Sequence, residues 1–499
     1  MSRASPWSRP RGAGLLSSAP LRVRVLGRVL WTTFGPPLLM ALIAVPAFAE
    51  LRAGSARADL TPPDGSSMYG YGARVGVSTG VHDRLWARAL VLEQAPSGGG
   101  TTGGARVAIV SLDLGSFSKA STERVRSLVA ERQRFEQVLL IASHTHSAPR
   151  ADESFPDPAS PHIREIERRI ADAVVEAAGV LRPATLRAGW GELNGCHNRR
   201  RVHPDGAVEM LWENRPGLPT SPLDRSVGVI AVQAPDSSAI ATLVNFACHP
   251  VVLGPENLEI SADYPGVMAA RLEAELGGVA MFLPGAAGDT NPNWDKTPPA
   301  EGGFEQAELL GRRLADEVLR VLGGLEPRSP GASGPGVEGE AGSTAAGSRA
   351  EEVELDVRTA TIELAPRWDL ADPSVREVFA ERGQARLFEY YRDRFAAERV
   401  AEITTLRLAP DIALAFFPGE FFVEHGLRLK RESLIENTLF VGYANGELGY
   451  FPTIRAAAEG GYGADEATLV EVGAGDRLVA LALIALLEQS GALGALPPP

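Results

Sequence analysis

Short apolar runs recur along this chain, and each is closed by a polar loop rich in glycine or proline. Val107–Leu112, Val138–Ala142, Val227–Val232, Ile240–Phe246, Val279–Leu283, Ile412–Phe417 and Leu439–Val441 all have this form, and an unbroken apolar run of that length predicts a strand buried on both faces. Between them the apolar positions recur at intervals of three and four. Val125, Leu128 and Val129 form one such stripe, Ile163, Ile166, Ile170, Val174 and Ala177 a second, and Leu309, Leu310, Leu314, Val318 and Leu322 a third. Each predicts a helix with one face turned inward. Further helices are expected around Met268 and Leu272, Leu427 and Leu429, and Leu478–Leu487, with Pro183 closing the second stripe. A strand near Val353–Leu364 precedes a charged helical region from about Ser374 to Val400. The alternation predicts an α/β fold of mixed sheets flanked by helices. No internal repeat is visible.

Two segments break this pattern. Arg3, Arg9, Arg11, Arg22, Arg24 and Arg28 precede an apolar segment, Leu38–Val45, and then Ala47-Phe48-Ala49, the small-x-small form of a signal-peptidase site. Residues 1–49 therefore read as a secretory signal, with a secreted or periplasmic destination. The alternative is an uncleaved anchor, which Gly35-Pro36-Pro37 interrupts. The second segment, 328–352, is dominated by Gly, Ser, Ala and Pro and reads as an exposed flexible insertion. It divides the remaining chain into 50–327 and 353–490, which together make one domain.

Composition narrows the class. With 499 residues, 44% hydrophobic and 22% charged, the chain is neither disordered nor fibrous. The net charge of −13 includes the six N-terminal arginines and no N-terminal acid, so removing residues 1–49 takes it to −19. A chain so acidic repels nucleic acid. Its two cysteines, Cys196 and Cys248, are too few for a disulfide scaffold, and whether they bond to each other is open at this stage.

The chemistry sits where strands end. The run ending at Ala142 leads into Ser143-His144-Thr145-His146-Ser147-Ala148-Pro149, and a strand continued through His-x-His would place both imidazoles on one face. The run ending at Phe246 leads into Ala247-Cys248-His249-Pro250, and that ending at Phe417 into Pro418-Gly419-Glu420. Val279–Leu283 opens into Gly285–Asn293, a turn-rich loop suited to close approach of a ligand. Asn445–Pro452, after the strand at Val441, carries Tyr450. Alone, Glu420 reads as a carboxylate at a helix N-terminus, and Tyr450 as a half-buried tyrosine with a bonded hydroxyl.

Taken together, these loops resemble the neutral ceramidase family, secreted or membrane-tethered zinc amidases that cleave the N-acyl bond of ceramide. The matching stretches are Asp59-Leu60-Thr61-Pro62, Met68-Tyr69-Gly70-Tyr71-Gly72, Gly80-Val81-His82-Asp83, Ser143–Pro149, Asn198-Arg199, Phe246–Pro250, Gly288–Asn293, Pro418-Gly419-Glu420 and Asn445–Thr453. The resemblance implies one Zn²⁺ per chain, held by His144, His249, Glu420 and Tyr450, an N/O donor set that suits this ion. Bound zinc lowers a water pKa to about 7 and polarises an amide carbonyl. It also implies that His146 handles protons, and that Arg199 with Tyr450 stabilises the oxyanion, although Arg200 and Arg201 are adjacent. His82, His162, His197, His203 and His425 are left as surface or structural. The implied partner is a lipid-like N-acyl amide, with peripheral contact with membranes or lipid aggregates.

Two departures stand out. The family's Gly-Asp-x-Ser-Pro-Asn loop reads Gly288-Asp289-Thr290-Asn291-Pro292-Asn293 here. Asn291 cannot act as a nucleophile, but its amide can hydrogen-bond a carbonyl or oxyanion. The second departure is the lack of a counterpart to the family's C-terminal immunoglobulin-like domain. Both weaken the inference to ceramide more than that to zinc. The alternatives are a zinc hydrolase of another N-acyl amide, ester or peptide, and a non-catalytic binding protein on the same fold.

Overall fold

The computed structural model describes residues 51–94, 105–151, 162–325, 348–349, 355–381 and 399–493 apart from 466, with four positions between 382 and 398. The N-terminal segment 1–49 lies outside the described residues. So does the insertion 328–352, except for Ser348 and Arg349, whose backbone pairs with the edge of a sheet at Ala188 and Arg187.

One topology is used three times. In the first module, β1 (Leu51–Asp59), β2 (Trp86–Gln94) and β3 (Arg106–Leu112) form an antiparallel meander; α1 (Lys119–Ala130) then crosses over to β4 (Gln137–Ala142), parallel to β3, and α2 (Ile163–Gly179) follows. The second module repeats this with β5 (Thr185–Glu192), β6 (Ser226–Gln233), β7 (Ala239–Phe246), α3 (Asp263–Leu276), β8 (Val279–Pro284) and α4 (Gly303–Gly324). The third has β9 (Asp356–Glu363), β10 (Val400–Ala409), β11 (Ile412–Phe416), α5 (Val423–Glu432), β12 (Asn437–Val441) and α6 (Ala474–Gln489). In each sheet the four strands lie side by side in chain order. The sequence carries no matching repeat because the topology needs only buried strands and crossover helices, not particular side chains.

Strands buried on both faces explain the unbroken apolar runs. Along β3, Val107 and Ile109 point into a core shared by all three sheets, whereas Ala108 and Val110 face the helices of their own module. The shared core also takes Leu243 and Leu283 from the second sheet and Leu414 and Val441 from the third. Three outer cores lie between each sheet and its helices. Polar side chains stitch the sheets together: Ser111 Oγ donates to the Phe282 carbonyl (2.8 Å), and Asn245 Nδ2 donates to the carbonyls of Leu283 and Phe440 (both 2.8 Å). The C-terminal ends of β3, β4, β7, β8, β11 and β12 thus meet at one end of the shared core, and their loops build the site.

One element departs from the expected pattern. The helical region expected from about Ser374 to Val400 is helix over Pro373–Glu381 and again at the described positions Ala385, Phe388, Glu389 and Arg392, but Val400 instead opens β10. Its polar positions Glu402, Thr404, Thr405 and Arg407 hide the alternation in which Ala401 and Ile403 face the outer core and Leu406 and Leu408 the shared one. The register also shifts between Arg407 and Ala409. Among the described residues, no helix is long and apolar enough to cross a membrane.

Candidate metal centre

Each histidine is placed by the loop after its strand and oriented by a backbone carbonyl. His144 lies just past β4 in a left-handed conformation (φ 72°), its N–H donating to the Leu114 carbonyl (2.9 Å) and its Nδ1 2.6 Å from the Gly115 carbonyl. His249 follows β7; its N–H donates to the Thr290 carbonyl (3.0 Å), and its Nδ1 lies 2.6 Å from the Ala287 carbonyl. A carbonyl can only accept, so both rings carry a proton on Nδ1 and turn Nε2 towards Glu420. The strand-period argument for His144 and His146 does not apply, because β4 stops at Ala142 and His144 turns left-handed. The rings meet nonetheless, with Nε2 atoms 3.3 Å apart.

Glu420 completes the cluster. It sits after β11 in a two-residue parallel pairing with Tyr450, and its N–H donates to the Gly449 carbonyl (2.9 Å). One carboxylate oxygen, Oε2, lies 3.0 Å from His249 Nε2 and 3.4 Å from His144 Nε2. Gly288 allows this close approach: a Cβ there would come within 2.5 Å of the Glu420 carbonyl oxygen. We expect Gly288→Ala to displace Glu420 and to lower bound metal and activity by about 10- to 100-fold, the cost of losing a supporting contact, with the circular dichroism spectrum unchanged. Full metal content in that variant would show that the close packing is unimportant.

Burial disfavours charge throughout the cluster. It lowers the His249 pKa to about 4, against the hydrogen bond to Glu420, and holds His146 well below the usual histidine range. Burial also works against a charge on His144, but attraction to Glu420 outweighs it and raises that pKa. On Glu420 burial acts upward, and the facing imidazoles prevail, keeping the carboxylate ionised. His144 and His249 touch the same oxygen yet shift in opposite directions, because one carboxylate balances one positive charge.

The donor set fits a cation. Two imidazole Nε2 atoms face one oxygen of an ionised carboxylate, an arrangement that needs a cation or a shared proton between them. His144, His146 and His249 each offer a nitrogen within 4.8 Å of the others and could hold a metal ion. Tyr450 is buried next to Glu420 through the backbone pairing and presents its ring to Arg199, 5.4 Å away.

Arg199 and Asn291 are brought together by a second short pairing, Cys196–Asn198 with Thr290–Pro292, and are bonded directly, Nη1 to Oδ1 at 3.2 Å. Asn291 Nδ2 donates to Asp295 (2.7 Å), so both ends of its amide already have protein partners. The two cysteines are joined in a disulfide that ties the Arg199 strand to the His249 loop. Two further residues were not singled out from sequence. Tyr443, at the second position beyond β12 and left-handed (φ 55°), stacks on His144 at 4.2 Å; His144 holds the equivalent place beyond β4, so the rule that found one applies to the other. Asp289 accepts from Asn198 Nδ2 and from the Val423 N–H at the start of α5 (both 2.7 Å), fixing the Arg199 strand against the Glu420 loop. Its signal was its place beyond β8.

The fold and site define an α/β protein whose strand-end loops build a buried histidine–carboxylate centre able to hold a metal ion. The family described as neutral/alkaline non-lysosomal ceramidase, N-terminal, matches residues 51–304, and the chain belongs to it. A neutral ceramidase of Pseudomonas aeruginosa is 24% identical over 330 residues, covering 60% of this chain and 46% of that protein. One of Drosophila pseudoobscura pseudoobscura is 32% identical over 343 residues, covering 57% and 46%. The chain thus spans about half the length of the curated relatives it matches. The crystal structure of the Pseudomonas aeruginosa neutral ceramidase shares the fold, with a TM-score of 0.66 at 20% identity over 90% of this chain and 77% of that one. A ceramidase complexed with C2 superposes similarly, with a TM-score of 0.67.

Proposed function

We propose that this protein is a secreted zinc-dependent amidohydrolase that cleaves the N-acyl amide bond of ceramide or a ceramide-like lipid, giving a fatty acid and a sphingoid base. The observation that carries this reading is the convergence of the Nε2 atoms of His144 and His249 on one oxygen of an ionised Glu420. One Zn²⁺ per chain would be held by these three residues with Tyr450 beside Glu420, a set of N and O donors proper to zinc. When bound, the ion supplies a nucleophile at neutral pH and draws charge from the amide carbonyl.

The chain's own residues supply the rest. His146, kept neutral by burial, turns its Nε2 to the cluster, 3.3 Å from His144 Nε2, where the ring can take a proton from water and return it to the departing amine. Arg199 offers N–H donors to negative charge growing on the carbonyl oxygen. The Tyr69 and Tyr71 rings meet His146 edge-on, at 5.4 and 4.8 Å, and limit its movement. The disulfide between Cys196 and Cys248 suits an extracytoplasmic location, as does the N-terminal segment.

The test combines zinc content with ceramide hydrolysis on one preparation. Turnover lost on chelation and restored by zinc is the expected result. Active protein without zinc would refute the metal role, and zinc-loaded protein inert towards every amide would leave a binding protein.

A further inference from the structure

Asn291 stands between two groups that each allow one polarity. Arg199 can only donate, and its Nη1 meets Asn291 Oδ1 at 3.2 Å; the Asp295 carboxylate can only accept, and its Oδ2 takes a hydrogen bond from Asn291 Nδ2 at 2.7 Å. A carboxamide keeps nearly the same shape after a half-turn about its last bond, so packing cannot choose between its two orientations. Here the hydrogen bonds choose. After the half-turn an N–H would face the guanidinium and an oxygen would face the carboxylate, and both contacts would repel. Lys296 holds Asp295 in its part, since Nζ donates to the same Oδ2 at 2.5 Å. Burial of Asp295 pushes its pKa up, and Lys296 and Asn291 pull against it.

The backbone that carries Asp295 is fixed without this contact. The Lys296 N–H donates to the Val251 carbonyl (2.8 Å) and the Thr297 N–H to the Val252 carbonyl (2.7 Å), while Lys296 is itself left-handed (φ 52°). The Asn291 backbone is set by its pairing opposite His197. The two side chains therefore meet across main chain that is already in place. Beyond Asn291, the Arg199 guanidinium also bonds the buried Tyr450 side chain. Burial works against its charge, but Tyr450, Tyr462 and Glu420 outweigh that and raise its pKa. The charge of Arg199 is thus met on the side of the metal centre, and what Asp295 adds is direction.

Resting on the reading of the site as an N-acyl amide hydrolase, we propose that Asp295 is a positioning residue for Arg199: it turns the Asn291 carbonyl towards Nη1 and so fixes the guanidinium while negative charge grows on the substrate carbonyl. A donor aimed at that oxygen acts more in the transition state than in the ground state, so loosening it lowers kcat with little change in KM. A carboxylate needed only for folding would lower stability and leave the kcat of folded molecules alone.

The experiment measures zinc content, kcat and KM of the zinc-loaded full chain on an N-lauroyl ceramide. Asp295→Ala is expected to lower kcat by about 10- to 100-fold, the scale of a misdirected donor, at unchanged KM and zinc content. Asn291→Ala should lose as much, and the double variant no more than either, because the two residues act as one unit. Asp295→Asn should recover most of the loss: Asn291 and Lys296 both donate to one oxygen, which a carboxamide oxygen can replace. Should Asp295→Ala not fold, Asp295→Leu, similar in shape to aspartate, takes its place in each comparison. A kcat within about threefold of wild type in Asp295→Ala overturns the proposal and leaves the hydrolase reading intact. So does a further fall in the double variant, a loss of zinc, or an Asp295→Asn variant as slow as Asp295→Ala. If the zinc-loaded wild type hydrolyses no amide, the hydrolase reading fails and the positioning role with it.

Discussion

Alanine in place of His249 is expected to remove bound metal and hydrolysis together, by more than the roughly 100-fold that loss of a supporting partner costs a metal site. The reason lies in its two bonds. Nδ1 is held by the Ala287 carbonyl and Nε2 faces Glu420 at 3.0 Å, so truncation removes a donor and leaves Glu420 buried against one imidazole instead of two. The same change at His144 should act alike, since that ring faces the same oxygen. Metal analysis alongside an amide hydrolysis assay reads both effects. Metal retained at full occupancy with activity lost would assign His249 to substrate or proton handling instead.

The second large effect concerns stability. Arg88 is almost wholly buried between the first two modules, donating to Asp113 from Nη1 (2.8 Å) and to Glu273 on α3 from Nε (2.7 Å). Glu273 has a second cation in Arg57, whereas among the described residues Asp113 keeps only the Trp86 N–H. Arg88→Ala should therefore destabilise by about 3–5 kcal/mol, the usual cost of orphaning a buried charge, seen as a lower denaturant midpoint. Burial already raises the Asp113 pKa against the pull of Arg88. Without Arg88 that carboxyl binds a proton more tightly in the folded than in the unfolded chain, so the loss should grow as pH rises above the ordinary carboxylate range. Arg88→Met combined with Asp113→Leu should recover much of the stability, because no charge is left unpaired. A loss below about 1 kcal/mol in the single variant, the scale of an exposed pair, would show that the site is wetter than its burial indicates.

Strands such as Val138–Ala142 and Val279–Leu283 were legible as unbroken apolar runs because both of their faces are covered, and helices such as Ile163–Gly179 as stripes because only one face is. The candidate ligands were legible for a related reason: a histidine or glutamate directly after a buried strand cannot lie far from a sheet edge. β10 escaped notice because Glu402, Thr404 and Arg407 interrupt its alternation. Tyr443 and Asp289 stood in the same kind of position as the chosen residues and were passed over.

Local periodicity, then, determined the kinds of element and which residues stand at their ends. Only the tertiary structure decided that three modules of one topology share a core and point their strand ends the same way, that Cys196 bonds to Cys248, and that Glu420 meets His144 and His249. It also decided that Arg199 is tied through Asn291 to the Asp295–Lys296 pair. The physical reason is one of range: hydrophobic period acts within a strand or helix, whereas the meeting of side chains from distant loops depends on how whole sheets pack.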